Sequence, residues 1–206
     1  SGLAAATCNH RRTALMHLWN LLDGKSQPNP VRDVPRFPEP PALPRARPMA
    51  EIRLILRALR RDKISRTRLT ILAATALRPA ELMRLTPERR RKGWLEVPTA
   101  KGGIARTIPL TRWAEAAFDR LDRQEGWGHY SESSLWQRFT EGCDRVGVPR
   151  FKPYDLRHSH ATAVLQAGAD LADVQYLLGH SDIALTRRYA APQSAKLSAA
   201  LRRAFG

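Results

Sequence analysis

Apolar positions recur at helical spacing along most of the chain. In residues 8–22, CNHRRTALMHLWNLL, Leu15, Leu18, Trp19 and Leu22 share one face, the pattern of an amphipathic helix. The pattern then stops. Residues 24–48 hold eight of the fifteen prolines and read as a stiff, extended linker. Periodicity resumes with a basic helix predicted over 50–61 and an apolar one over 66–77. Pro79 is well placed to open a short helix after that. One stretch alternates with period two instead. In GWLEVPTAKGGIARTIPL, 93–110, the segments WLEV and IARTIPL flank a Lys101-Gly102-Gly103 turn, which predicts a small antiparallel sheet. Further helices are predicted over 111–124, 131–146, 155–167, 170–178, 182–190 and 193–204. The last carries Leu197, Ala200, Leu201 and Ala204 on one face. The predicted fold class is mainly α with one small antiparallel β-sheet, an α+β arrangement.

Charge changes this picture more than hydrophobicity does. Thirty-five Lys and Arg stand against nineteen Asp and Glu, a net charge of +16. Arginine dominates, and its planar fork suits phosphate oxygens. A domain this basic points to a polyanion, above all nucleic acid. Residues 1–50 carry seven basic and three acidic groups, so the rest of the chain carries +12 of the +16. The two cysteines, Cys8 and Cys143, have no partners at metal-ligand spacing, so neither a disulfide framework nor a zinc site is expected. No apolar run reaches the length of a membrane span.

Four segments carry candidate chemistry. In TALRPAEL, 75–82, an apolar helix gives way to Arg78, with Pro79 next and Glu81 three residues on; alone, this is a capped helix with an exposed ion pair. YDLRHSHAT, 154–162, puts Tyr154, Arg157 and His160 on one face near a helix start, with Asp155 as an N-cap or first-turn acid. A helix N-terminus with such side chains makes an anion site, although an RH pair is commonly a solvated face. In LGHSDIALTRRYA, 178–190, Gly179 closes one helix, His180 sits in the turn and Tyr189 follows nine residues later. A satisfied turn histidine and a core aromatic are the plain readings. Lys101 sits at the hairpin turn, either simply exposed or able to reach into a site.

Taken in order, these segments resemble the catalytic domain of the tyrosine recombinases, the phage integrase family. That family carries an Arg in a T-x-L-R-x-x-E-L box, a Lys on a β-hairpin, H-x-L-R-H, L-G-H, and a Tyr about nine residues further on. Here these are TALRPAEL, TAKGGIARTIPL, YDLRHSHAT and LGHSDIALTRRY. The resemblance covers about residues 48–206. Residues 8–30 also resemble the last helix of the family's upstream core-binding domain and its exit. The division it implies is 1–23 as a remnant of that DNA-clamping domain, 24–48 as linker and 49–206 as catalytic domain. The chain is therefore expected to begin partway into a longer protein.

The resemblance implies Tyr189 as the nucleophile on a DNA phosphate, with Arg78, Arg157 and His180 meeting the developing charge and Lys101 as general acid. Arg78, Lys101, Arg106, Arg157 and His180 would touch DNA. Glu81 and His158 would orient these groups without touching it, and His160 would pack. Tyr154 stands where the family usually has His. A phenol titrates near pH 10, so a base's role does not carry over, whereas a hydrogen bond to the phosphate does. Neither metal, ATP nor another cofactor is expected. The implied partner is double-stranded DNA, bound as a tetramer in which residues 193–204 contribute to self-association, in a bacterial or phage-encoded protein of the cytoplasm and nucleoid. Two other readings use the same residues: a type IB topoisomerase-like nicking-closing enzyme, and a DNA-binding module with little catalysis.

Overall fold

The structure, a computed structural model, describes residues 4–22, 27–39, 46–98, 105–179 and 195–205. The chain divides into two units, Ser1–Leu43 and Pro44–Gly206.

In the first unit, α1 (Ala5–Leu22) is followed by a 3-10 turn at Pro30–Arg32. Its expected apolar face is open, with Leu15 54%, Leu18 50% and Leu22 73% exposed. The buried residue of α1 is polar. Asn9 donates to the Phe37 carbonyl (3.0 Å) and accepts from the Phe37 N–H (2.9 Å), while Arg12 donates to the carbonyls of Val34 (2.6 Å) and Arg32 (3.1 Å). Residues 27–39 are thus fastened along α1 rather than running out as a free spacer. Prolines leave a chain rich in carbonyls and poor in N–H donors, and side chains of α1 supply the missing donors.

The second unit opens with α2 (Met49–Ala58), α3 (Lys63–Thr75) and the short α4 (Pro79–Arg84). A sheet follows, of β1 (Arg90–Arg91), β2 (Trp94–Val97) and β3 (Arg106–Pro109), antiparallel in the order β1-β2-β3. Leu95 pairs with Ile108 and Val97 with Arg106, which turns Leu95, Val97 and Ile108 inward. The two-residue β1 carries no alternation and escapes a pattern search. Then come α5 (Arg112–Arg123), α6 (Glu132–Val146), α7 (Asp155–Gln166), α8 (Leu171–Leu178) and α9 (Ala195–Phe205). The predicted helix over 182–190 lies outside the described residues. Side-chain N-caps fix three starts: Asp62, Thr111 and Ser131 accept from the N–H of Ser65, Ala114 and Ser134. No helix among the described residues is long and apolar enough to cross a membrane.

Two apolar clusters hold this unit. The larger joins α2, α3, α5, α6 and the sheet through side chains such as Ile55, Leu72, Leu95, Phe118 and Phe139. The smaller gathers Ala76, Val164, Leu178, Leu197, Leu201 and Phe205, so that α9 packs on α7 of its own chain. Between the clusters lies the turn from α3 to α4, which carries Arg78.

Candidate active site

Arg78 owes its position to the way α3 ends. Ala76 closes that helix in the left-handed region at φ 57°, unusual for a residue with a side chain. Its carbonyl accepts from Arg157 Nη1 at 2.7 Å. Two residues on, Arg78 is extended (φ −72°, ψ 147°) and serves as N-cap of α4, with Pro79 preset for the first helical position. Glu81 reaches back to accept the Arg78 N–H at 2.8 Å, and its other oxygen holds Arg78 Nη1 at 2.7 Å. The Arg78 side chain remains 29% exposed while that of Glu81 is 5% exposed. The guanidinium is therefore aimed by a buried carboxylate and still faces solvent.

The same carboxylate takes a second cation. Arg106, at the start of β3, forks onto Glu81 with Nη1–Oε1 3.0 Å and Nη2–Oε2 2.8 Å, and its Nε donates to the Leu177 carbonyl at 2.7 Å. This corrects the expectation that Arg106 contacts DNA. Its side chain is 1% exposed and its fork is spent on Glu81, which leaves no face for a phosphate. Burial alone would raise the Glu81 carboxyl. The hydrogen bond and charge of Arg106, with the N–H and charge of Arg78, outweigh burial and hold it at about 2.

Arg157 completes the cluster from the first turn of α7. Besides Ala76 it donates through Nη2 to the Leu178 carbonyl. Burial, then the neighbouring charges of Arg78 and Arg106, lower its pKa to about 10, against the pull of Glu81. It stays charged at neutral pH. Among the described residues two of its five N–H groups are committed, both to backbone carbonyls. Arg106 and Arg157 together cap the C-terminal carbonyls of α8, where cations suit the helix dipole. Gly179 follows at φ 65°, and a Cβ there would lie 2.9 Å from Arg106 Nη1. Glycine is needed both for the turn and for the passage of the guanidinium.

Tyr154 is the N-cap residue of α7, 43% exposed, with its ring edge-on to exposed His158 at 5.5 Å. Asp155 acts as a first-turn acid and accepts the Lys152 N–H at 2.9 Å. His160 shares the helix but not the surface. It is fully buried, with Nδ1 2.9 Å from the Ala73 carbonyl and its ring stacked on Phe205 at 4.4 Å. Since a carbonyl only accepts, Nδ1 carries the proton, and Nε2 has no hydrogen-bond partner among the described residues. Burial lowers its pKa to about 4.

The structure thus brings Arg78, Glu81, Arg106 and Arg157 together, with Tyr154 and His158 on the same helix start as Arg157. Lys101, His180 and Tyr189 lie outside the described residues. The role of Arg106 was missed because a strand arginine after a glycine turn looks solvated. Its partner Glu81 is 25 residues away, and only the position of both at the edge of one core reveals the pair.

A mainly helical unit, one small sheet and a buried carboxylate that holds Arg78 at a helix start and Arg106 on a strand, with Arg157 beside them, define the class. Residues 48–196 match the model of the Phage integrase family, and the chain belongs to that family, the tyrosine recombinases. Tyrosine recombinase XerA of Pyrococcus furiosus is 32% identical over 80% of this chain and 63% of its own length. Tyrosine recombinase XerC of Erythrobacter litoralis is 30% identical over 97% of this chain and 72% of that protein. This chain thus spans less than two thirds of the length of XerA. Among solved structures, an integrase from mycobacterium phage Brujita aligns over 100% of this chain and 75% of its own, with TM-score 0.64 and 26% identity. A lambda integrase (75–356) dimer bound to a COC′ core site aligns over 88% and 74%, with TM-score 0.67 and 19% identity, a likeness of fold.

Proposed function

We propose that this unit is a site-specific DNA recombinase that cleaves and rejoins duplex DNA by covalent phosphoryl transfer. The observation that carries the reading is the pair of arginines at helix starts, Arg78 solvent-facing on Glu81 and Arg157 buried beside it on the carbonyls of Ala76 and Leu178. Such donors meet the charge that develops on a phosphate under attack. The relatives named as tyrosine recombinases and the DNA-bound neighbour support the same reading.

In this mechanism the Tyr189 oxygen attacks a backbone phosphorus, its proton passing to solvent or a neighbouring base. A 3′-phosphotyrosyl bond forms, the bond to the 5′-oxygen breaks, and Lys101 supplies that oxygen with a proton. Acid–base help of this kind contributes roughly 10²–10⁴ in rate. Arg78, Arg157 and His180 bind the non-bridging oxygens, and Tyr154 adds a hydrogen bond. Glu81 and His158 orient their neighbours. The 5′-hydroxyl of a second strand reverses the step, so the bond is conserved and no ATP is consumed. The same reading has the protein assemble as a tetramer on DNA at the nucleoid; because Leu197, Ala200 and Leu201 are buried in their own chain, self-association through residues 193–204 would require that helix to leave its seat on α7.

A duplex with a nick beside the cleavage site tests the reading, because the freed fragment leaves and traps the covalent complex. The chain yields a detergent-resistant DNA adduct, and Tyr189→Phe yields none. Absence of adduct from the unaltered chain on its cognate site would overturn the enzyme in favour of a binding module.

A further inference from the structure

A second cationic site lies apart from the Glu81 cluster. Between α2, α3, α5 and the end of α9 is a cleft of about 430 Å³. Its lining includes five arginines, Arg53, Arg57, Arg66, Arg112 and Arg120, and no carboxylate. Among the described residues none of the five forms an ion pair. Its floor is aromatic: Trp113 and Phe205 stack at 6.0 Å, and the Arg53 guanidinium lies 5.1 Å from the Trp113 ring centre.

These cations repel one another. Burial, followed by the charges of Arg66 and Arg123, lowers the pKa of Arg120, and the nearby acid that opposes this, Asp119, is itself paired with Arg90 at 2.5 Å. Folding has gathered like charges without a counter-charge, an arrangement that an external anion relieves. The cleft also continues. A neighbouring one of about 350 Å³ shares Arg57 and adds Arg60, Arg61 and Arg145, the last already paired with Glu141 at 3.5 Å. Arg53 and Arg57 stand one helical turn apart, about 6 Å, so the cations form a track rather than a single anion hole. A row of forks suits the repeated charges of a nucleic-acid strand. Arg66 lies ten residues before Ala76 on α3, about 15 Å from the turn that aims Arg78.

We propose that this arginine track binds the phosphate backbone of a second DNA duplex, additional to the one at the Arg78–Arg157 cluster. The proposal rests on duplex DNA being the partner of this domain, yet it requires no catalysis. Its contacts are to phosphates, so it reads no sequence and weakens with salt.

The test is a stoichiometry. The full chain is titrated with a short fluorescent duplex of arbitrary sequence at low salt, and the mass of the complex is read by analytical ultracentrifugation. The unaltered chain carries two duplexes. Arg57→Gln with Arg120→Gln carries one, with the slope of log K against log salt shallower by about 2. Arg53→Gln with Arg66→Gln repeats the loss, and thermal melts show that both variants fold. One duplex per chain before and after substitution overturns the proposal. So does an oligoglutamate that occupies the track in preference to DNA, since that assigns it to an acidic protein segment. The adduct assay separates this from the catalytic reading. An adduct without a second duplex overturns the track alone, and a second duplex without an adduct overturns the catalytic reading alone.

Discussion

Glu81 is the side chain on which the local chemistry turns, because one buried carboxylate fixes two cations of different duty. Arg106 is consumed in the pair, and Arg78 is left facing outward. Removing Arg78 should therefore affect chemistry more than affinity. Arg78→Ala is expected to lower the cleavage rate at saturating DNA by roughly 10²–10³ while DNA affinity changes little. A loss of binding as large as the loss of rate would make Arg78 a general anchor instead. Removing Arg106 should act on stability. Arg106→Leu takes one of two cations from buried Glu81 and leaves it only Arg78, at a cost of about 1–3 kcal/mol near neutral pH. The carboxyl sits at about 2, below its ordinary 4.5. Its pairing thus stabilises the fold above pH 4.5 and fades as pH falls toward 2. The penalty of Arg106→Leu should accordingly shrink between pH 7 and pH 3 in urea unfolding, and a penalty independent of pH would contradict the pairing.

At the scale of elements, pattern and structure agree on the long helices of the second unit, whereas the apolar face expected on α1 is open. The predicted helices over 66–77, 111–124 and 131–146 appear as Lys63–Thr75, Arg112–Arg123 and Glu132–Val146, and the hairpin strands fall where alternation placed them. What escaped the pattern is set by groups remote in sequence. The left-handed turn at Ala76 has no glycine to announce it and is held by Arg157, 81 residues away. The fastening of residues 27–39 depends on Asn9 and Arg12, polar positions that a search for apolar faces passes over. The seat of α9 has a titratable marker. His160, stacked on Phe205, is held neutral with its pKa lowered from 6.5 to about 4. A lowered pKa means that the unfolded chain binds the proton first. The stabilising contribution is present above pH 6.5 and is lost as pH falls toward 4. Between pH 7 and pH 5 the native chain should lose about 2 kcal/mol more stability than His160→Phe. Equal losses in urea unfolding would show that His160 is not held neutral in this seat.

At the scale of the whole molecule, the charge legible in composition divides into two kinds of site. One is the cluster in which Glu81 disciplines Arg78 and Arg106 beside Arg157. The other is the uncompensated track on α2, α3 and α5, invisible in sequence because its arginines come from three helices. The segments TALRPAEL and YDLRHSHAT stand out in sequence by their spacing, whereas the division of labour among their arginines and Arg106 required burial. The proposed chemistry turns on the covalent step at Tyr189. The most direct measurement traps the adduct on a nicked cognate duplex, digests the protein and identifies the modified peptide and DNA end by mass spectrometry. The expected product is a nucleotide joined through its 3′-phosphate to Tyr189. A modification on another residue, a 5′-phosphate linkage, or an adduct that survives in Tyr189→Phe would contradict it.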